Sequence, residues 1–318
     1  MSVHLRLLMM GTGGFAAPLF RALYGTPHEV VALVTQPRRT TRPGAESGVN
    51  PMREIAAEHG TPVFDPESVN TNESRETLRG FSPDLLIVAD YGQILSAETL
   101  ALARLGGLNL HGSLLPKYRG AAPINWAIYN GDIETGVTVI HMTPRVDAGP
   151  TLGRVSTPID PEETAVDLER RLAAIGAPLL VQVIEDLVAG CGTPLPQDPS
   201  QASPARRLRK TDGAIDWSRP AAAIKNQIRA LEPWPRTYTF WHRPKGPAVR
   251  LIVGRSAVVD AGESAAPGTV VRAGAELVVA TGAGAMQILE LQPAGKRMLA
   301  TAEFLRGYPV KTGERLGP

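Results

Sequence analysis

Three polar side chains have the types and spacing to do chemistry together. Asn109 and His111 lie two apart at the end of residues 108–111, a run that predicts a β-strand. Side chains two apart on a strand leave from the same face. Asp147 lies in Arg145-Val146-Asp147-Ala148-Gly149, just after a second expected strand at 137–142. If these strands are neighbours, Asp147 comes close to His111. An amide, an imidazole and a carboxylate meeting at one point suit acyl transfer to nitrogen. The attacking amine creates a tetrahedral oxyanion, which Asn109 and a protonated His111 can stabilise. The leaving nitrogen needs a proton and the amine must lose one, traffic that a His–Asp pair can handle. No Ser or Cys nucleophile is required. Each residue also has an ordinary structural use, Asp147 as a turn residue before Ala-Gly and His111 as a structural strand-end histidine.

Two other uses of polar residues compete. Gly11-Thr12-Gly13-Gly14-Phe15-Ala16 reads as G-x-G-x-x-A between an expected strand and an expected helix, a dinucleotide fingerprint. The acidic residue that would hold a ribose is missing near the end of the second strand, where Thr35-Gln36-Pro37-Arg38-Arg39 stands. An arginine there could meet a 2′-phosphate instead; the plain alternative is a tight turn, or a phosphate site at a helix N-terminus. His111 and His141 are the histidines to consider for a metal, and neither belongs to a ligand spacing, so none is expected.

The elements that must position these groups come in two textures. Through about residue 190, short apolar runs alternate with helix-like segments. Strands are expected at 5–10, 29–35, 84–88, 108–111 and 137–142, and helices at 16–24, 52–59, 96–105, 124–130 and 164–189. In the last helix Leu168, Leu172, Ile175, Leu179, Val183 and Leu187 recur at spacings of three to four. Such alternation predicts an α/β fold with a doubly wound, mostly parallel sheet, whose ligands sit beyond the carboxyl ends of the strands. Residues 191–204 are proline-rich and read as a linker. A helix at 221–230 follows, then short strands at 238–241, 249–253, 268–271, 277–280 and 286–291, the pattern of a small β-barrel.

Charge separates the halves. Residues 1–199 carry 15 Lys and Arg against 22 Asp and Glu, whereas residues 200–318 carry 18 against 9. A basic C-terminal third suggests a polyanionic partner, although a solvated basic surface would look the same. Cys191 is the single cysteine, so no intrachain disulfide can form, which fits a reducing compartment. The apolar run 7–20 is broken by glycines and lacks a cleavage site, so no leader is expected. No segment is expected to reach the ~20 apolar residues of a membrane span.

The motif around these residues resembles the folate-dependent formyltransferases. The resemblance lies in His111-Gly-Ser-Leu-Leu-Pro-Lys-Tyr-Arg-Gly-Ala-Ala-Pro123, Gly131-Asp-Ile-Glu-Thr-Gly136 and Asp147-Ala-Gly149, and it extends over nearly the whole chain. It implies a Rossmann-like catalytic domain at 1–190, 10-formyltetrahydrofolate as co-substrate, and Asn109, His111 and Asp147 as the catalytic centre. It also implies folate contacts from Ser113, Leu114, Leu115 and Pro116, and a pterin loop including Gln93, Ile94 and Leu95. Lys210-Thr-Asp-Gly-Ala-Ile-Asp-Trp-Ser218, Glu232-Pro-Trp-Pro235 and Leu291-Gln-Pro-Ala-Gly-Lys-Arg297 resemble the branch of the family that acts on methionyl-tRNA. That branch carries a C-terminal OB-like barrel, here 206–318 after a 191–205 linker. The implied partner is initiator methionyl-tRNA, met by Arg206, Arg207, Arg209 and Lys210 and by Arg38, Arg39 and Arg42 of a basic loop. A monomer in the cytoplasm is expected, without metal or membrane. The family's loop usually contains lysine, which is missing here; Asp90 replaces a small apolar residue, and Pro150 stands where Asp is common.

Overall fold

The computed structural model describes residues 4–37, 50–243, 245–260, 262 and 265–317. It divides into two compact units, Met1–Pro123, Glu134–Pro158 and Asp167–Arg206 in the first, and Ile124–Ile133, Ile159–Val166 and Arg207–Pro318 in the second. The segment read as a linker therefore clusters with the first unit.

The chain runs β1 (Arg6–Gly11), α1 (Ala17–Leu23), β2 (Glu29–Val34), α2 (Pro51–Glu58), β3 (Val63–Phe64), α3 (Asn72–Gly80), β4 (Leu85–Ala89), α4 (Ala97–Leu100) and β5 (Gly107–His111). It continues through β6 (Arg119–Gly120), α5 (Pro123–Asn130), β7 (Glu134–His141), β8 (Thr151–Pro158), α6 (Ala165–Ala189) and β9 (Pro204–Ala205). One sheet has the order β3-β2-β1-β4-β5-β7-β8. Its first five strands are parallel, while β7 and β8 add on antiparallel. The central strands are buried on both faces, so they read as continuous apolar runs without alternation; Leu7 to Met10 and Leu85 to Ile87 are all fully buried. Chain order reverses between β1 and β4, which makes their carboxyl ends a ligand-binding crevice by the rule for open α/β sheets.

Three sequence expectations change. The helix expected at 96–105 stops at Leu100, and the chain turns through Gly106, at φ 68, into β5. Neither β8 nor α3 was anticipated. β8 exposes Arg154, Val155 and Ser156 in succession, so it lacks a clean alternation, and α3 is too polar for an apolar stripe to show. Contrary to expectation, α6 is long and apolar enough, by length and composition, to cross a bilayer. One face of it packs inward: Leu168, Leu172, Leu180 and Ile184 are fully buried, and its Gly176 packs against Leu110 of β5.

The second unit holds α7 (Ala221–Ala230), β10 (Thr237–His242), β11 (Val249–Val259), β12 (Val270–Ala273), β13 (Leu277–Ala280), β14 (Ala285–Pro293), β15 (Leu299–Ala300), α8 (Thr301–Gly307) and β16 (Arg315–Gly317). The antiparallel sheet runs β12-β13-β14-β11-β10-β16, with β15 beside β14. Val270 N donates to Glu314 O at 2.8 Å and Leu316 N to Gly268 O at 2.7 Å, which nearly closes the sheet into a barrel. Trp217, Ile224, Trp241, Leu251, Met286, Ile288, Leu291 and Phe304 are among its core residues.

Candidate active site

β5 and β7 are adjacent, with Asn109 opposite Ile140 and Leu110 opposite Val139. The loop after β7 therefore returns past the end of β5 and delivers Asp147. Asn109 Nδ2 donates to Asp147 Oδ1 at 3.2 Å. Asp147 Oδ2 accepts from the Gly120 amide at 2.9 Å and faces His111 Nδ1 at 3.6 Å. The three residues that the sequence singled out thus converge.

The geometry also divides the work of the imidazole. A carbonyl can only accept, so the 2.9 Å contact from His111 Nε2 to Tyr118 O places a proton on Nε2. That nitrogen anchors the ring, and the nitrogen left to meet a substrate is Nδ1. Its separation from Asp147 exceeds a hydrogen bond, so the carboxylate faces Nδ1 without being bonded to it. The Asn109 amide has two N–H donors, of which Asp147 takes one.

Asp147 has a φ of 48, a left-handed conformation that a non-glycine residue adopts only when its surroundings enforce it. The enforcement is visible. Gln197 Nε2 donates to Asp147 O at 2.8 Å and to Gly149 O at 2.7 Å, and Gln197 Oε1 accepts from Arg119 Nε at 3.1 Å and Nη2 at 2.7 Å. Gly149 is needed here because a Cβ on it would lie 1.8 Å from His141 O. Pro150 does not disturb the loop; its carbonyl accepts from His141 N at 3.0 Å and continues the ladder. Ser203 supports the other wall, its Oγ accepting from Tyr118 N at 2.9 Å and its carbonyl from Arg119 N at 2.8 Å. Sequence reasoning missed Gln197 and Ser203, which sit in a stretch whose prolines read as a spacer. Tyr118 and Gly120 act through backbone atoms, which no side-chain pattern reveals.

A second group lies at the β1/β4 crevice. Asp90, at φ 46, has its carboxylate against Gly13, and Glu169 of α6 reaches Gly14. Asp90 keeps one side open to solvent, yet desolvation by the surrounding protein pushes its carboxyl up to about 6. Desolvation also raises Glu169, and repulsion from Asp90 adds to it. Thr12 Oγ1, in the glycine turn, accepts from the Gln36 backbone amide at 3.3 Å. His141 Nε2 meets Leu105 O at 3.0 Å, a structural contact. Among the described residues no group of three or more His, Cys, Asp or Glu could hold a metal ion.

The family models that match are "Formyl transferase" over residues 5–184 and "Formyl transferase, C-terminal domain" over 207–309. The chain belongs to the formyltransferase family. Two curated relatives, both methionyl-tRNA formyltransferases, are 42% identical over 314 residues: that of Solibacter usitatus (98% of this chain, 99% of the relative) and that of Geobacter sulfurreducens (98% and 97%). Among solved structures, the N-formyltransferase from Helicobacter canadensis in complex with folinic acid and dTDP-3-aminofucose matches with a TM-score of 0.66 at 18% identity, covering 91% of this chain and 99% of that one. HypX from Aquifex aeolicus in complex with tetrahydrofolic acid matches at 0.63 and 17% identity, covering 95% and 47%. At such identities the structural matches establish the fold alone.

In this formyltransferase the other predicted contacts separate by exposure. Ile94 is exposed, and Leu114 and Pro116 are half-buried, so these three can present side chains to a folate. Leu95, Ser113 and Leu115 are buried. Ser113 Oγ donates to Lys117 O at 2.6 Å and shapes the turn. Gln93 is occupied by structure, accepting from Val69 N at 2.8 Å and donating to Pro66 O at 3.2 Å. Arg206, Arg207, Arg209 and Lys210 are exposed, and the Arg209 amide caps the 3-10 turn Lys210–Gly213 through Asp212 Oδ2 at 2.7 Å. Arg38, Arg39 and Arg42 lie outside the described residues.

Proposed function

We propose that this formyltransferase moves the formyl group of 10-formyltetrahydrofolate to the α-amino group of methionine on initiator methionyl-tRNA, giving N-formylmethionyl-tRNA for translation initiation. The observation that carries the chemistry is the bonded Asn109–Asp147 pair facing His111 Nδ1. The likeness to methionyl-tRNA formyltransferases over 98% of the chain supports the acceptor. The basic C-terminal third supplies cations for the phosphates, whose contribution to affinity falls steeply with salt.

In this reading the neutral α-amine attacks the formyl carbon, and a C–N bond forms. The formyl oxygen becomes an oxyanion stabilised by an Asn109 N–H and by His111, which as an imidazolium carries a proton on Nδ1 as well as the one on Nε2. Asp147 stands beside Nδ1 to hold that proton and to orient a water that accepts the proton released by the amine. The bond from carbon to N10 of the folate then breaks, and N10 leaves with the proton that the water took from the amine. The enzyme acts as a monomer in the cytoplasm, where its single exposed cysteine stays reduced, and needs neither metal nor membrane.

Transfer of labelled formyl from 10-formyltetrahydrofolate tests the reading. Label should appear on initiator Met-tRNA and not on amino-sugar nucleotides. Transfer to a small amine alone would overturn the assigned acceptor.

A further inference from the structure

β10 breaks the alternation that a barrel strand needs. Thr237, Thr239 and Trp241 face the core, at 1%, 2% and 4% exposure. The opposite face should be polar, and instead it carries Tyr238 and Phe240, both half-buried. Their rings meet edge to face at 5.8 Å and 88°. Arg250, paired with Phe240 across β11, sets its guanidinium 4.1 Å from the Tyr238 ring centre. A Cβ on the neighbouring Gly213 would stand 3.3 Å from the Tyr238 ring. Trp234, between Pro233 and Pro235, is 49% exposed and packs into neither barrel nor helix core.

These side chains do not merely sit near one another. Lys210, Trp234, Pro235, Tyr238, Phe240 and Arg250 line one cavity of about 410 Å³, within the ~300–1,000 Å³ span of small-ligand sites. Two of the six are cations and none is an acid. Packing between same-face neighbours on β10 accounts for Tyr238 against Phe240, but it leaves the exposed Trp234 and the two cations without a role. Exposed rings beside cations are how proteins hold unpaired nucleotides, since every base offers a π-face and each brings a phosphate.

We propose that Trp234, Tyr238 and Phe240, with Lys210 and Arg250, form a stacking subsite for one unpaired nucleotide of the RNA substrate. The proposal rests on the reading of the protein as a tRNA-modifying enzyme and adds a place and a mode of contact. Stacking on the rings supplies affinity without base identity, and the two cations take the flanking phosphates.

The test uses the full chain and two probes, initiator tRNA and a single-stranded oligouridylate. Trp234→Ala and Tyr238→Ala should each weaken binding of both probes about tenfold and leave the dependence on salt unchanged. Trp234→Phe and Tyr238→Phe keep a ring and should bind close to wild type. Arg250→Gln should reduce the salt slope by about one. Bound tRNA should also shield Trp234 fluorescence from iodide. Alanine variants with native circular dichroism and wild-type affinity for both probes would overturn the subsite, as would Trp234 left unshielded because the cavity holds a protein partner instead. Loss of oligouridylate affinity in a protein that formylates no Met-tRNA would keep the subsite and remove the acceptor assignment.

Discussion

Replacing Gln197 by alanine should slow formyl transfer without weakening tRNA binding. The Gln197 amide donates to two carbonyls of the Asp147 loop and accepts twice from Arg119. Neutral hydrogen bonds contribute about 1 kcal/mol each, so about 2 kcal/mol holds the loop. Opposing it is the left-handed backbone of Asp147, which costs about 1–3 kcal/mol. With the two terms so close, Gln197→Ala should leave the loop mostly relaxed. From near balance, a loss of 2 kcal/mol lowers the competent fraction about 15-fold, and kcat falls with it. Single-turnover formylation with saturating folate measures kcat, and filter binding measures tRNA affinity, which should hold within about twofold because no phosphate contact is lost. Gln197→Glu sharpens the test. It keeps the acceptor for Arg119 but turns carboxylate lone pairs toward two carbonyls, so it should be at least as slow as alanine. Wild-type kcat in a folded Gln197→Glu protein would refute the reasoning, because the segment would then be a spacer after all.

Three further outcomes are expected. Asn109→Ala should lower kcat about 100-fold or more, the scale for one oxyanion donor, and near-normal turnover would remove it from that role. Neutralising Arg206, Arg207 and Arg209 together should raise the KM for tRNA and flatten its salt dependence, as read from initial rates between low and physiological salt. Asp90 has a folded pKa raised to about 6, so the folded state holds that proton more tightly than the unfolded chain. Its contribution to stability is present at low pH and is lost as pH rises from about 4 through about 6. Asp90→Asn should accordingly raise Tm relative to wild type at pH 7.5 and lose that advantage near pH 4; a constant difference across that window would show that Asp90 is not desolvated.

The parts of the molecule that were legible in the sequence are those in which side-chain pattern and structure share a cause. β1, β4 and, in the α6 stripe, Leu168, Leu172 and Val183 are apolar because they are buried, so their runs announce them, whereas Ile175, Leu179 and Leu187 of the same stripe are only half-buried. Asn109, His111 and Asp147 were found because strand parity and strand adjacency bring them together. β8 was invisible because a solvent-facing edge strand needs no alternation, and β6 and β9 because two residues make no pattern. The glycine and proline content of 191–204 reads as a spacer, yet the segment holds a short helical turn at Pro199–Gln201 and reaches β9, and composition says nothing about what it touches.

That last point bears on the mechanism. Arg119 and Gly120 of β6 pair with Pro204 and Ala205 of β9, so the chain that leaves α6 comes back to the catalytic loops. Gln197 fixes the backbone of the residue carrying the carboxylate, and Ser203 fixes the peptide whose carbonyl sets the proton on His111. The orientation of the His111 ring and the position of the carboxylate therefore both depend on one irregular segment. Electrostatic stabilisation of an oxyanion requires donors that are already in place before the charge develops. Residues 109–147 supply those donors and residues 197–205 hold them, and substitutions in the second stretch should change rate rather than affinity.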